Sequence, residues 1–183
     1  MCLHNSEKCE RFLLFLQNSD VWLADGTFSS APRQFMQIYS IHGLFQGSVY
    51  PFVYTFMTRR SQNMYVALLS AIVNKAAELF HIDLDPYYIV TDFAHAAINA
   101  FKHVFPNAVV TCCHFHLSQS VLRRVTEDGH KPTYQTNEEF ALHVRMLYSL
   151  AYLPTTEVQG GFLQIQETMP EVGVSLLSYF NRT

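Results

Sequence analysis

The stretch VWLADGTFSS, residues 21–30, joins an apolar run to an aspartate and a glycine. Its first residues are aromatic and β-branched types, which favour a strand that ends at Asp25. The stretch YYIVTD, residues 87–92, has the same form and ends at Asp92. Each aspartate alone has an ordinary explanation, because Asp before Gly forms turns and Asp before a helix caps it. The matching positions nevertheless predict that the two carboxylates act together.

The periodicity along the chain predicts how these two strands are connected. The predicted elements are a helix at 6–17, strands at 21–25, 35–43 and 48–57, a helix at 61–80, a strand at 87–92, a helix at 93–105, a strand at 107–111 and helices from 115 onward. Pro51 predicts an edge strand or a strand start. Three adjacent strands predict an antiparallel meander, and strands separated by helices predict parallel crossovers. This order fits a ribonuclease H-like mixed sheet, and other mixed α/β arrangements remain open.

Composition limits the function classes. The chain has 183 residues, of which 49% are apolar and 15% charged, as expected for one globular domain with a sizeable core. The formal charge of −3 gives no general attraction for nucleic acid, so DNA binding would need a local basic patch or further sequence. Cysteines at 2, 9, 112 and 113 do not form a disulfide framework, which indicates a reducing, intracellular compartment. No segment approaches the roughly 18 apolar residues of a membrane span.

The two aspartates predict a cation site if their strands are neighbours. Ligands bind beyond the carboxyl ends of strands in open α/β sheets, and Asp25 and Asp92 would meet there. Two converging carboxylates repel each other unless a cation joins them. Their hard oxygen ligands suit Mg²⁺ or Mn²⁺.

The stretch TCCHFHLSQ, residues 111–119, is a second candidate. If Cys113 and His116 begin a helix, their spacing places them on one face, as a Zn²⁺ site requires. They are half of a zinc site at best, because no second pair of ligands is recognisable nearby. The alternative is a small buried cysteine beside hydrogen-bonded histidines.

Together these stretches resemble the transposase domain of Mutator-like elements (MULE transposases) over residues 20–155. The motifs are LADGTF at 23–28, FMQIYSIHG at 35–43, YPFVYTFMTRRSQNMYVALL at 50–69, IVTDFAHAAINAFKHVFPNA at 89–108, CCHFHLSQSVLRRV at 112–125 and LAYLP at 150–154. Their order and spacing, rather than any one of them, carry the resemblance.

The resemblance implies a ribonuclease H-like fold and a DDE triad that cuts and rejoins DNA with Mg²⁺ or Mn²⁺. Asp25 and Asp92 match the first two acids, and Cys113 and His116 match the family's Cys-x-x-His motif, which leaves Zn²⁺ as a possible ligand. Ala94 stands where the family commonly has an acidic residue. The resemblance also implies DNA element ends and target DNA as partners, a possible homo-oligomer and a nuclear location.

The third acid of the triad has no match in this chain. The glutamates near its end, Glu157, Glu167 and Glu171, are expected to be solvated helix charges. We therefore expect a fragment with a helical lead-in at 1–19, a transposase core at 20–130 and the truncated start of a helical insertion at 131–183.

Two alternatives remain open. The first is a domesticated transposase domain that binds DNA or regulates without cutting it. The second is an unrelated ribonuclease H-like nuclease, for which only Glu127 and Asp128 would be available as late acids.

Overall fold

The computed structural model describes residues 6–181, with side chains from residue 9 onward. Cys2 and the first five residues of the predicted lead-in lie outside the described residues. The chain divides into two compact units, residues 1–113 and residues 114–183.

The first unit is built on a five-stranded mixed sheet with the order β3-β2-β1-β4-β5. The strands are β1 (Val21–Thr27), β2 (Gln37–Phe45), β3 (Ser48–Met57), β4 (Tyr88–Thr91) and β5 (Val109–Cys112). β1 pairs antiparallel with β2 and parallel with β4. The meander of three strands and the parallel later strands are therefore confirmed. Pro51 lies on the edge strand β3, as predicted, opposite a register irregularity at Ile41 and His42.

The helices of the first unit are α1 (Ser6–Gln17), α2 (Gln62–Phe80) and α3 (His95–Val104). They form one core with the sheet, in which Trp22 of β1 is fully buried. The Trp22 indole N–H donates to the Leu16 carbonyl of α1 at 3.0 Å, and its ring meets Phe105 edge-on at 5.2 Å. One side chain thus fixes β1 against both its N-terminal helix and the segment after α3.

The start of α3 differs from the predicted one. The pattern predicted a helix from Phe93 with that side chain on the buried face, but the helix begins at His95 and Phe93 is 46% exposed. The Asp92 carboxylate accepts a hydrogen bond from the Ala94 backbone N–H at 3.1 Å, which holds residues 92–94 in a turn before the helix.

The second unit is helical throughout its described residues. It contains α4 (His114–Glu127), α5 (Lys131–Thr136), α6 (Glu138–Ser149), α7 (Val158–Thr168) and α8 (Val174–Phe180), with short 3₁₀ turns at Leu150–Tyr152 and Glu171–Gly173. Its core is separate from that of the sheet and is centred on Phe140, Leu147 and Leu176. No helix among residues 6–181 is long and apolar enough to cross a membrane.

The position of β1 depends on Trp22, and we expect Trp22→Phe to lower the free energy of unfolding by about 1–3 kcal/mol, because the buried hydrogen bond to the Leu16 carbonyl and part of a fully buried ring are lost. Urea unfolding followed by circular dichroism measures the change. The matched control is Tyr87→Phe, whose side chain is 60% exposed and which should change stability by less than about 0.5 kcal/mol. Equal stability of the two variants would contradict the role given to Trp22.

Candidate functional site

The register between β1 and β4 brings Asp25 and Asp92 together. The last aligned pair of the two strands is Ala24 with Thr91, so Asp25 and Asp92 are the next residue on each. Neighbouring strands lie about 4.7–4.9 Å apart, so the two backbones are adjacent at this edge of the sheet. The predicted neighbourhood of the first and fourth strands is thus confirmed.

The predicted end of the first strand was wrong by two residues. β1 continues to Thr27, and Asp25 lies inside it, because the antiparallel ladder with β2 extends through Gly26 and Thr27. Only the parallel ladder with β4 stops before Asp25. Asp25 is therefore held by backbone pairing to β2, whereas Asp92 belongs to the turn that follows β4.

Alternation places Asp25 on the sheet face opposite the helical core. Trp22 and Ala24 of β1 are buried in that core, whereas Leu23 and Asp25 are only half-buried. The same alternation buries Ile89 and Thr91 of β4. Asp92 is also half-buried, and it follows Thr91 in the turn at this edge of the sheet.

The buried hydroxyl of Tyr39 lies near both carboxylates. Tyr39 pairs with Gly26 across the β1–β2 ladder, and its hydroxyl shares a long hydrogen bond of 3.5 Å with Thr91 Oγ1. Burial raises the pKa of Tyr39 well above 10, and the negative charges of Asp92 and Asp25 add to this. A single hydroxyl therefore experiences both charges, and it stays protonated as a hydrogen-bonding group beneath them.

A second polar group joins the site from β2. Ser40 is the register partner of Asp25, and its hydroxyl lies 3.5 Å from the Asp25 carbonyl and 2.9 Å from His42 Nε2. Burial lowers the pKa of His42 below 6.5, and the charge of Asp25 acts in the opposite direction. His42 is thus a mainly neutral hydrogen-bonding group near Asp25.

β5 and the residue after it add two cysteines beside the end of β4. Thr91 aligns with Cys112, and the Cys113 N–H donates to the Thr91 carbonyl at 2.8 Å, so Cys113 follows the sheet beside Asp92. Burial raises the pKa of the Cys112 thiol, and the charge of Asp92 raises it further. Without a bound metal ion, Cys112 is therefore a protonated thiol at neutral pH.

The chain also matches the sequence model of a known family. The family model of the MULE transposase domain matches residues 21–120. That span contains all five strands and more than half of the chain. The chain belongs to the MULE transposase domain family. No curated protein matches it.

The Cys-x-x-His residues of this MULE domain fall on different units. Cys113 ends the first unit directly after β5, and His116 is the third residue of α4 in the second unit. Both side chains are half-buried. Among residues 6–181 no three His, Cys, Asp or Glu side chains are grouped so as to hold a metal ion.

The later acidic residues of the second unit are either exposed or paired with neighbouring side chains. Glu157, Glu167 and Glu171 are exposed. Asp128 is bound by Arg124, with 2.8 Å between Nη2 and Oδ1, and by the Ser175 hydroxyl at 3.0 Å. Both of its oxygens therefore have partners inside the helical unit, which argues against the unrelated-nuclease alternative.

Sequence reasoning did not find Tyr39, Ser40 or His42. They lie in FMQIYSIHG, which the sequence identifies as an alternating strand and as one motif of the family resemblance, without a role for any of its side chains. The signal that could have found them is the register of β2 against β1, because Ser40 lies opposite Asp25 and Tyr39 opposite Gly26. Periodicity alone does not determine that register.

The charge of Asp25 partly offsets the effect of burial on His42, so Asp25→Asn should lower the pKa of His42 further below 6.5. Titration of the histidine ring protons by NMR, with His42→Gln to assign the signal, measures the shift. Asp85→Asn, which removes an exposed carboxylate outside this site, should leave the His42 titration unchanged. An unchanged or higher pKa of His42 in Asp25→Asn would contradict the geometry described for this site.

Proposed function

We propose that this MULE domain is part of a DDE-type DNA transposase, in which Asp25 and Asp92 bind the divalent cation that supports DNA cleavage and strand transfer. The observation that carries the proposal is the β1–β4 register, which places these two acids next to each other after Ala24 and Thr91. The family match supports the reaction class. The strand order, with β1 between β2 and β4, supports a ribonuclease H-like core over residues 20–130, and we propose that the helices over residues 131–183 belong to a helical insertion.

The donor set fits Mg²⁺ or Mn²⁺. Asp25 and Asp92 offer hard carboxylate oxygens, and one oxygen of Asp92 is already oriented by the Ala94 N–H. When bound, the cation would activate a water molecule and neutralise charge on the scissile phosphodiester. The residues of this chain would bind the cation, hold the carboxylates in register and keep the Tyr39 hydroxyl protonated beneath them.

A pair of carboxylates is better evidence for cation binding than for catalytic cleavage of DNA. In-line displacement at phosphorus with two metal ions needs both the attacking and the leaving oxygen stabilised, and the family supplies a third acid for this purpose. Glu157, Glu167 and Glu171 have no part in the proposal, because none of them matches the family's third acid. We therefore propose that the 183-residue chain binds Mn²⁺ or Mg²⁺ weakly and does not nick DNA at a useful rate.

Family membership is the basis of our proposals for the partner and the cellular location. We propose that the protein acts on DNA in the nucleus, where an element end and a target meet, and that copies of it assemble there.

The Cys113 and His116 pair remains a hypothesis for Zn²⁺, and half of a zinc site should retain less than one zinc per chain in purified protein. Elemental analysis measures this, and stoichiometric zinc lost in both Cys113→Ser and His116→Ala would show a complete site.

The proposal predicts that Asp25→Asn and Asp92→Asn each abolish Mn²⁺ binding, because one remaining carboxylate is a poor ligand set for a hydrated cation. Isothermal titration with Mn²⁺ measures binding, and Asp85→Asn, at an exposed carboxylate, should bind like the wild type.

A nicking assay on labelled duplex separates the enzyme from the alternatives. We expect no metal-dependent nicking by the 183-residue chain, because it offers Asp25 and Asp92 but no residue that matches the third acid of the family. Nicking by the short chain that Asp25→Ala abolishes would show that it already contains its third ligand. Binding of DNA without Mn²⁺ affinity would favour the domesticated, non-cutting alternative.

A further inference from the structure

The first 52 residues after Asp25 have a charge unlike that of the whole chain. Residues 26–77 contain no Asp or Glu and carry four basic residues, Arg33, Arg59, Arg60 and Lys75. Lys75 is paired with Glu78 at 3.8 Å, whereas the three arginines are all exposed. The net charge of −3 therefore conceals a local basic region, and this region follows directly after Asp25 in the chain.

The same segment exposes aromatic rings on the sheet face that carries Asp25. Tyr54 and Phe56 alternate along β3 and are 58% and 53% exposed. Asp25 of β1 aligns with Ser40 of β2, and Ser40 aligns with Tyr54 of β3. Two residues along β2, Ile38 aligns with Phe56 in the same way. Because aligned residues share a face, Tyr54 lies two strands from Asp25, about 10 Å away.

A further ring contacts Phe56, and an arginine lies over Phe28, which follows Thr27 in the row of Ile38 and Phe56. Phe35 stacks on Phe56 with 5.0 Å between ring centroids. The Arg60 guanidinium lies 4.7 Å from the centroid of the Phe28 ring, which is 46% exposed just beyond the end of β1. We call Phe28, Phe35, Tyr54, Phe56 and Arg60 the aromatic platform. All five belong to the first unit.

We propose that the aromatic platform binds unpaired bases of the DNA strand whose phosphodiester lies at Asp25 and Asp92. The inference rests on the proposed function, and it adds the binding surface and the form of the DNA. Flat rings exposed on a sheet stack on bases whatever their sequence, but the bases must first leave the duplex. A stacked strand advances about 3.4 Å per nucleotide, and an unpaired strand can extend further, so the roughly 10 Å between Asp25 and Tyr54 corresponds to at most about three nucleotides.

The arginines supply the charge that this strand requires. A guanidinium stacked on Phe28 keeps its N–H donors at the ring edge, where they can bind a phosphate. Arg33 and Arg59 add exposed positive charge to the same acid-free segment. A second copy of this chain fits less well, because a contact between two such copies would bring arginines of like charge together.

The test is fluorescence anisotropy of a labelled 12-nucleotide single strand, measured in EDTA so that no cation contributes. Tyr54→Ala and Phe56→Ala should each weaken binding about tenfold, the range expected for one lost stacked base. Tyr50→Ala is the matched control, because Tyr50 is a 47% exposed aromatic on β3 that aligns with Gly43, away from the aspartates. It should change affinity less than about twofold, and circular dichroism should show all three variants folded.

An abasic strand of equal length isolates stacking. Wild type should bind it about a hundredfold more weakly than the normal strand, and Phe56→Ala, which keeps Tyr54, should retain only about a tenfold preference for the normal strand. Arg60→Ala should reduce the slope of log affinity against log salt by about 0.7, the value for one phosphate contact on a single strand.

Equal binding of the normal strand by wild type, Tyr54→Ala and Phe56→Ala would overturn the proposal. Self-association that Phe56→Ala abolishes without changing DNA affinity would overturn it in favour of an interface between copies.

The Mn²⁺ titration keeps this inference separate from the proposed function. Phe56→Ala should bind Mn²⁺ like the wild type, and Asp25→Asn should bind the single strand in EDTA at least as well as the wild type. Loss of strand binding in the platform variants, with Mn²⁺ binding indifferent to Asp25→Asn, would support the platform and refute the cation site. The reverse pattern would support the cation site and refute the platform.

Discussion

The pairing of β1 on both of its edges is the constraint on which the first unit depends. One edge forms an antiparallel ladder with β2 and the other a parallel ladder with β4. The antiparallel ladder carries the strand past Asp25, while the parallel ladder ends just before Asp92. A slip of one residue in either ladder would move a carboxylate to the opposite face, into the core that holds Trp22. The burial of Trp22 therefore maintains the register that the site needs.

Four polar groups near the two acids carry no formal charge. They are the hydroxyls of Tyr39, Ser40 and Thr91 and the imidazole of His42. Burial raises the pKa of Tyr39 and lowers that of His42, so both groups favour their neutral forms. Neutral hydroxyls and a neutral imidazole can hydrogen-bond beside carboxylates without adding repulsion between negative charges.

Sequence reasoning reached the mixed α/β sheet and the adjacency of its first and fourth strands, because strand and helix periods and the order of elements carry that information. It placed the ends of elements less well. β1 runs to Thr27 and α3 begins at His95, since ladder pairing and the hydrogen bond between Asp92 and the Ala94 N–H decide these limits. Ser40 and His42 were missed for the same reason, because their place depends on a register between strands that periodicity does not contain.

The distribution of charge in the first unit separates DNA binding from metal binding. The net charge of −3 does not reveal this separation. Two carboxylates repel DNA phosphates until a cation neutralises them, so they contribute little to DNA affinity by themselves. The acid-free segment after Asp25 places arginines and exposed rings on neighbouring strands of the same sheet. A strand held by stacking and by phosphate contacts at this distance does not need the cation for binding. Affinity for DNA and affinity for metal can therefore be set by different residues, although both sets are positioned by β1 and the strands paired with it.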